Sequence, residues 1–283
     1  MNQIQLLQAV SSIALAAGAR ILEVYEQVQA PSVTLKADHS PITEADRRAH
    51  TLIVEQLTAL TPDLPVLSEE SVPIAFAIRN NWHRYWLVDP LDGTREFVKR
   101  NGEFTVNIAL IENGAAVLGV VYVPVTGVTY SGSLITGAFV QHPNSARVAI
   151  HATRMSVQQR VRVVASRSHR DQTLDSVLAQ LRHVFAEVEE ISLGSSLKLC
   201  LLAEGKADFY PRLAPTSEWD TAAAHAILAA AGGAVVNTRF EALRYNRQDS
   251  LLNPNFLALA DPGFDWRAVL QDCLQLDKLP RNG

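Results

Sequence analysis

One run constrains this chain more than any other: Trp86-Leu87-Val88-Asp89-Pro90-Leu91-Asp92-Gly93-Thr94. Its first three residues are apolar and suit a buried strand. Pro90 then fixes its own φ and removes a backbone donor, so the reading ends the paired strand at Asp89. Gly93 permits the tight turn that follows. Asp89 and Asp92 are thereby confined near one strand end. Two unit charges about 4 Å apart repel by roughly 4 kcal/mol at an effective dielectric near 20. A hard divalent cation bound through oxygen would offset that repulsion. A solvated Asp-Pro/Asp-Gly turn is the plainer alternative.

Composition narrows the surroundings of this run. At 283 residues the chain can build one large domain or two ordinary ones. Hydrophobic content of 48% against 19% charged residues fits a soluble globular protein. The net charge of −4 gives no general nucleic-acid surface, so any phosphate binding should be local. Cys200 and Cys273 fit neither a disulfide framework nor a zinc spacing. Residues 13–19 are small and apolar, but the first basic residue is Arg20 and the helical pattern continues through Glu23 and Tyr25, unlike a leader peptide. No transmembrane segment is expected, residues 222–236 coming nearest with His225 and two glycines inside. The expected setting is cytoplasmic, with peripheral docking on the inner membrane's cytoplasmic face left open, and the chain is expected to be a monomer or homodimer.

Hydrophobic periodicity predicts a helix over 3–28, a loop over 35–41, and a second helix from Thr43 to about Leu60. Val66-Leu67 reads as a strand end that delivers Ser68-Glu69-Glu70. Residues 104–111 and 116–122 read as a β-hairpin around Glu112-Asn113-Gly114, and 125–130 as a further strand. Residues 132–154 carry little signal and are read as a separator between two halves, 1–150 and 151–283. In the second half, strands are predicted at 161–165, 207–210, 234–236 and 256–260, and helices at 171–181, 196–203 and 220–231. Helices covering mixed sheets predict an α+β protein, a layered α/β sandwich of αβαβα type whose halves could pack as one domain.

More acidic residues sit at comparable places. Thr43-x-x-Asp46 resembles a capping box, in which Asp46 satisfies backbone donors. Asp220 opens an alanine-rich helix and could simply cap it. Glu69-Glu70 could be a solvated loop pair. Taken together, Glu69, Asp89, Asp92 and Asp220 are carboxylates at element ends, where ligand sites of layered folds collect. Such a cluster matches a two-metal phosphoryl-transfer site, with Thr94 placed to orient a water. On the substrate side, Gly194-Ser195-Ser196-Leu197-Lys198 opens a helix and offers N–H groups, hydroxyls and one cation to an anion; an ordinary Ser-capped helix is the alternative.

The motifs W-x-x-D-P-x-D-G-T at 86–94 and W-D-x-A-A-A-x-x-I-x-x-x-A-G-G at 219–233 resemble the two signatures of the inositol monophosphatase superfamily. Glu69-Glu70 and the 36–46 loop match its other blocks in order, and the similarity runs from about residue 5 to 258. The blocks 68–70, 85–111, 166–169 and 194–198 resemble its bacterial bisphosphate-nucleotidase branch more narrowly. That resemblance implies an inositol monophosphatase or sugar-phosphatase-like fold. It implies a Mg²⁺-dependent, lithium-sensitive phosphatase acting on the 3′-phosphate of adenosine 3′,5′-bisphosphate, and conceivably of its sulfated relative, in sulfate assimilation. Glu69, Asp89, the Leu91 carbonyl and Asp92 would hold one Mg²⁺, and Asp89, Asp92 and Asp220 a second. Asp46 and Thr94 would activate the water together with Glu69 at the metal, Glu70 would support from behind, and Asp38 could help a third, transient ion. Asp92, Gly93, Thr94, Ser166, His169, Gly194, Lys198 and Asp220 would contact the substrate. Two departures stand out: Ser68 replaces the usual glycine, and Leu197 stands where the eukaryotic pattern has asparagine. An inositol or sugar-phosphate phosphatase, and a non-catalytic nucleotide sensor, are the alternative functions.

Overall fold

Elements alternate in the way the periodicity predicts for most of the chain. The structure, a computed structural model, describes residues 2–27, 33–35, 41–157, 160–165, 172–271 and 273. Helix α1 (Gln3–Tyr25) starts from a reciprocal cap: the Gln5 N–H donates to Asn2 Oδ1 at 2.9 Å, and the Asn2 N–H to Gln5 Oε1 at 3.1 Å. Strands β1 (Val33–Leu35) and β2 (Pro41–Thr43) pair antiparallel and lead into α2 (Glu44–Leu60). Next come β3 (Val66–Ser68), α3 (Phe76–Arg79), β4 (Arg84–Asp92) and α4 (Thr94–Val98). Strands β5 (Thr105–Glu112) and β6 (Ala115–Val123) form the expected hairpin. Its turn residues Asn113 and Gly114 have φ of 50° and 76°, the mirror-image turn that matches strand twist.

The chain then continues as β7 (Val128–Ser133), β8 (Gly137–Gln141) and β9 (Val148–Ile150). After these lie β10 (Arg160–Ala165), α5 (Gln172–Val184), β11 (Glu187–Ser192), α6 (Leu197–Ala203) and β12 (Phe209–Arg212). Helix α7 (Glu218–Ala230), β13 (Ala234–Asn237), β14 (Phe256–Leu259) and α8 (Trp266–Leu270) complete the described residues. Strands β3 to β9 make a seven-stranded sheet in chain order, with only β3–β4 parallel. A five-stranded mixed sheet has the order β11-β10-β12-β14-β13.

Side-chain alternation stacks these sheets into five layers. On β4, Trp86 and Val88 face a core shared with α1 and α2, while Tyr85 and Leu87 face the opposite core with α6 and α7. That middle core also takes Val164, Tyr210, Val235 and Phe256 from the second sheet. Val163, Phe209 and Leu257 face outward instead, under α5 and α8. The order is therefore αβαβα, the expected architecture. Helix α7 lies between two sheets, so Ala222, Ala223, Ala224, Ile227 and Leu228 are all buried, as a helix that is apolar all round should be. Its alanines let the layers approach. Helix α1 is long and apolar enough to cross a bilayer by length and composition, but Leu7, Val10, Ala14, Ala17 and Ile21 pack in the core against α2 and the sheet.

Two expectations are corrected here. The strand at 86–89 does not stop before Pro90: β4 runs to Asp92 through an irregularity in which Asp89 faces Asn107 and Asp92 faces Thr105. A bulge accommodates the proline that a regular ladder would exclude. Residues 132–154 are not a separator, because β8 and β9 extend the first sheet. Their signal is weak because β9 is an edge strand with Val148 and Ala149 exposed, so no alternation shows. Strand β11 lacked a reading for a similar reason: Glu187, Glu189 and Glu190 give it little apolar character.

A close contact between layers falls at Gly119 on β6. A Cβ there would overlap the backbone carbonyl of Ala223 in α7. Gly119→Ala is therefore expected to push α7 off the sheet and lower stability by roughly 1–3 kcal/mol in denaturant unfolding; a change within error would refute this account of the layer spacing.

Candidate active site

The bulge at the end of β4 determines where the carboxylates go. The Leu91 N–H donates to Asp89 Oδ1 at 3.0 Å, which folds the Asp89 side chain back along the bulge. Asp92 Oδ2 accepts from the Ser196 N–H at 2.5 Å and from Asn107 Nδ2 at 3.4 Å. Beyond β3, the Glu69 N–H donates to the Val88 carbonyl at 3.0 Å, so the pairing of β3 with β4 carries Glu69 alongside Asp89. Asp220 arrives from another layer, as the third residue of α7. Its Oδ2 accepts from the Thr216 hydroxyl at 2.7 Å and from the Ser217 N–H at 2.9 Å. Asp89, Asp92 and Asp220 each present an oxygen within 4.8 Å of the others.

This is a site of confined negative charge. Burial raises the Asp89 carboxyl well above its ordinary value, and the charges of Glu69, Asp92 and Asp220 add to the shift. Asp92 is pushed up to about 7, first by burial and then by Asp220. Asp220 is raised too, by burial, against the stabilising hydrogen bonds from Thr216 and Ser217. Lys198 is a nearby cation, and burial lowers it to about 8 while Asp92 pulls it back up. An all-oxygen set of converging, desolvated carboxylates suits a hard divalent ion such as Mg²⁺ and not a thiolate- or imidazole-seeking metal.

Asp46 and Thr94 come together from α2 and α4. Asp46 Oδ2 accepts from the Thr43 N–H at 2.8 Å and the Thr43 hydroxyl at 2.6 Å, a capping box. Its other oxygen, Oδ1, accepts from the Thr94 hydroxyl at 3.3 Å. Thr94 Oγ1 also lies 3.4 Å from the Leu91 carbonyl, which ties the pair to the bulge. Burial raises the Asp46 carboxyl, with Glu70 adding its charge. The cap and the site are one arrangement: each oxygen of Asp46 does one job.

The substrate side differs from its sequence reading. Gly194, Ser195 and Ser196 were expected to offer free N–H groups, but the Gly194 N–H donates to Glu103 Oε2 at 2.8 Å and the Ser196 N–H to Asp92. A Cβ on Gly194 would sit 2.9 Å from that Glu103 oxygen, which accounts for the glycine. Lys198 is buried, donating to the Ser195 carbonyl at 2.5 Å and lying over the Tyr210 ring. Gly93 has φ of +94° where the chain turns into α4. A cleft beside the carboxylates is lined by Asp92, Gly93, Gly194, Lys198 and Asp220, and also by Arg95, Tyr210 and Arg212. The last three went unread in the sequence. Arg212 ends β12, and no local motif marks it; only the folding of β12 beside α7 brings it here. Ser166, His169 and Asp38 lie outside the described residues.

A five-layered α/β protein whose sheet ends in a carboxylate cluster, beside a cleft that also carries Arg95, Lys198 and Arg212, has the features of a metal-dependent enzyme. The chain is a member of the inositol monophosphatase family, whose family model matches residues 2–264. Among curated proteins it is similar to the 3′(2′),5′-bisphosphate nucleotidase CysQ of Escherichia coli K12, 48% identical over 251 residues that cover 89% of this chain and 98% of the relative. The corresponding Haemophilus influenzae protein is 38% identical over 94% of this chain and 97% of its own length. Among solved structures, CysQ from Bacteroides thetaiotaomicron matches with a TM-score of 0.78 and 43% identity, covering 90% of this chain and 97% of that one. An inositol monophosphatase from Thermotoga maritima, at 22% identity and a TM-score of 0.75, shares the fold.

The raised carboxyls have a consequence for stability. Asp92 shifts from 3.8 to about 7, so in the window between those values the folded, metal-free protein holds a proton that the unfolded chain has released. Extra protons bound by the folded state mean that stability falls as pH rises through that window. Metal-free protein is therefore expected to melt at a higher temperature near pH 5.5 than near pH 7.5. Asp92→Asn should reduce the difference, and added Mg²⁺ should reduce it in the parent. A pH trend identical in parent and variant would show that Asp92 is not the titrating group.

Proposed function

We propose that this protein is a Mg²⁺-dependent 3′(2′),5′-bisphosphate nucleotidase that hydrolyses the 3′-phosphate of adenosine 3′,5′-bisphosphate to give AMP and phosphate. In sulfate assimilation this would clear a by-product of sulfate activation and transfer. The observation that carries the chemistry is the convergence of Asp89, Asp92 and Asp220 beside the Asp46–Thr94 pair. The substrate reading is supported by 48% identity to a curated bisphosphate nucleotidase over nearly its whole length.

The roles proposed are those the family resemblance implies, and the positions of the described residues support them. Glu69, Asp89, the Leu91 carbonyl and Asp92 would hold one Mg²⁺, and Asp89, Asp92 and Asp220 a second. Bound cations of this kind acidify a water and neutralise charge on phosphoryl oxygens. Thr94 Oγ1, held between Asp46 Oδ1 and the Leu91 carbonyl, is placed to orient the attacking water. Asp46 accepts that water's proton; a carboxyl raised by burial is a stronger base than an exposed one. Gly93 keeps the turn open for the reacting phosphate. Lys198, buried at the cleft wall and shared with Asp92, supplies positive charge to the substrate's phosphates, and Arg212 adds more from β12. Ser166, His169 and Gly194 are assigned to the nucleotide on their motifs. We assign the enzyme to the cytoplasm, a reading that its similarity to the CysQ proteins supports.

The test is phosphate release from adenosine 3′,5′-bisphosphate with inositol 1-phosphate as the comparison. Mg²⁺ should be required, excess chelator should abolish turnover, and the nucleotide should be strongly preferred; full turnover in chelator would end the metal reading, and preference for inositol phosphate the nucleotide one. A second prediction separates the two jobs of Asp46. Asp46→Asn keeps an acceptor for the cap, so stability should change by about 1 kcal/mol or less, while kcat should fall by roughly 10²-fold. Near-normal kcat in a folded variant would leave Asp46 as a cap alone.

A further inference from the structure

A buried arginine lies outside the cleft and has no part in the chemistry described above. Arg79, at the end of α3, is 1% exposed. Its Nη1 donates to Asn246 Oδ1 and, at 3.1 Å, to the Gln248 carbonyl; its Nη2 donates to the Asp249 carbonyl. The guanidinium stacks over the Phe76 ring, and the Arg79 carbonyl accepts from Asn246 Nδ2 at 2.6 Å. Burying a guanidinium costs several kcal/mol unless its donors find partners, and replacing such a group by apolar residues is often neutral or stabilising. Arg79 Nε is buried without a hydrogen-bond partner, so this burial calls for a reason beyond stability.

The reason lies in what its partners hold. The Asn246 N–H donates to both oxygens of the buried Glu218 at 2.9 Å, at the first turn of α7. The Glu218 N–H donates to the Leu251 carbonyl at 2.8 Å, and the Asn253 N–H to the Thr216 carbonyl at 2.9 Å. Asn253 Nδ2 donates to the Ser217 carbonyl at 2.8 Å and to Thr221 Oγ1 at 3.1 Å. Residues 246–253 thus grip residues 216–221, the segment whose Thr216 and Ser217 fix Asp220. Arg79 holds the other end of that grip. It stands on the connection that leaves β3 through Glu69 and returns to the start of β4. The two segments are 167 residues apart in sequence at the Arg79–Asn246 contact.

We propose that Arg79 is a positioning residue for the cation site, clamping through Asn246 and Glu218 the distance between the Glu69-bearing connection and the Asp220-bearing helix. The planar fork matters, because it reaches carbonyls of two successive residues and one carboxamide together, which an ammonium cannot do from one rotamer. This proposal rests on the reading of the carboxylate cluster as a divalent-cation site, and its test separates the two.

The measurement is Mn²⁺ affinity by calorimetry or electron paramagnetic resonance, with folding checked by circular dichroism and Tm. Arg79→Lys and Asn246→Ala are expected to weaken Mn²⁺ binding roughly tenfold, the scale on which groups behind metal ligands act, while the proteins remain folded. Asn246→Ala leaves the backbone bond to Glu218 in place and carries the test should the arginine variant unfold. Val163→Ala, in the separate core beneath α5, should lower Tm and leave Mn²⁺ affinity unchanged. Asp220→Asn should bind Mn²⁺ far more weakly. Normal Mn²⁺ affinity in folded Arg79→Lys and Asn246→Ala, with Asp220→Asn impaired, would overturn the positioning role and leave the cation site standing. Normal affinity in Asp220→Asn as well would overturn both.

Discussion

Carboxylates that repel one another are held together at the end of β4, and much of the surrounding structure exists to keep them there. Asp89, Asp92 and Asp220 approach within 4.8 Å, in a place where burial raises the carboxyls of all three. Flexible side chains in water would separate. Here each is restrained by backbone: Asp89 by the Leu91 N–H, Asp92 by the Ser196 N–H, and Asp220 by the Ser217 N–H. The free energy for that confinement comes from the layers, whose apolar faces bury β4 on both sides.

Helix capping and site chemistry turn out to share atoms. Asp46 and Asp220 are each the third residue of their helix, and each gives Oδ2 to the capping residues before it. In Asp46 this leaves Oδ1 for Thr94, and Asp220 also presents a carboxylate oxygen within 4.8 Å of Asp89 and Asp92. A cap fixes the side chain's rotamer and favours the ionised form through hydrogen bonds, and both effects serve a ligand or a base. Capping at these two residues therefore leaves room for the second role that the sequence left open. A similar economy holds at 194–196, where N–H groups that could have met a ligand restrain Glu103 and Asp92 instead. The positive charge lining the cleft comes from Lys198, Arg95 and Arg212.

The sequence by itself determined a good deal. Local periodicity gave α1, α2, the β5–β6 hairpin and α7, because those segments carry their own signals: apolar spacing, capping residues, Asn-Gly, a run of alanines. The layered α+β class followed from their order. The grouping of Asp46, Glu69, Asp89, Asp92, Thr94 and Asp220 was legible because each stands beside a punctuating residue or cap within a recognisable motif.

Only the tertiary structure decided the rest. Pro90 reads locally as a strand terminator, yet β5 supplies a partner beyond it and a bulge absorbs the missing donor, so β4 reaches Asp92. The weak segments 137–150 become strands because β7 offers an edge to pair with. Tyr210 and Arg212 reach the cleft through packing between layers, Glu103 meets Gly194 across 91 residues of chain, and Arg79 meets Asn246 across 167. None of these contacts leaves a mark in a short window. Local sequence sets the preference of each segment for helix, strand or turn, but the partner that satisfies a buried charge or an unpaired edge is supplied from elsewhere in the chain.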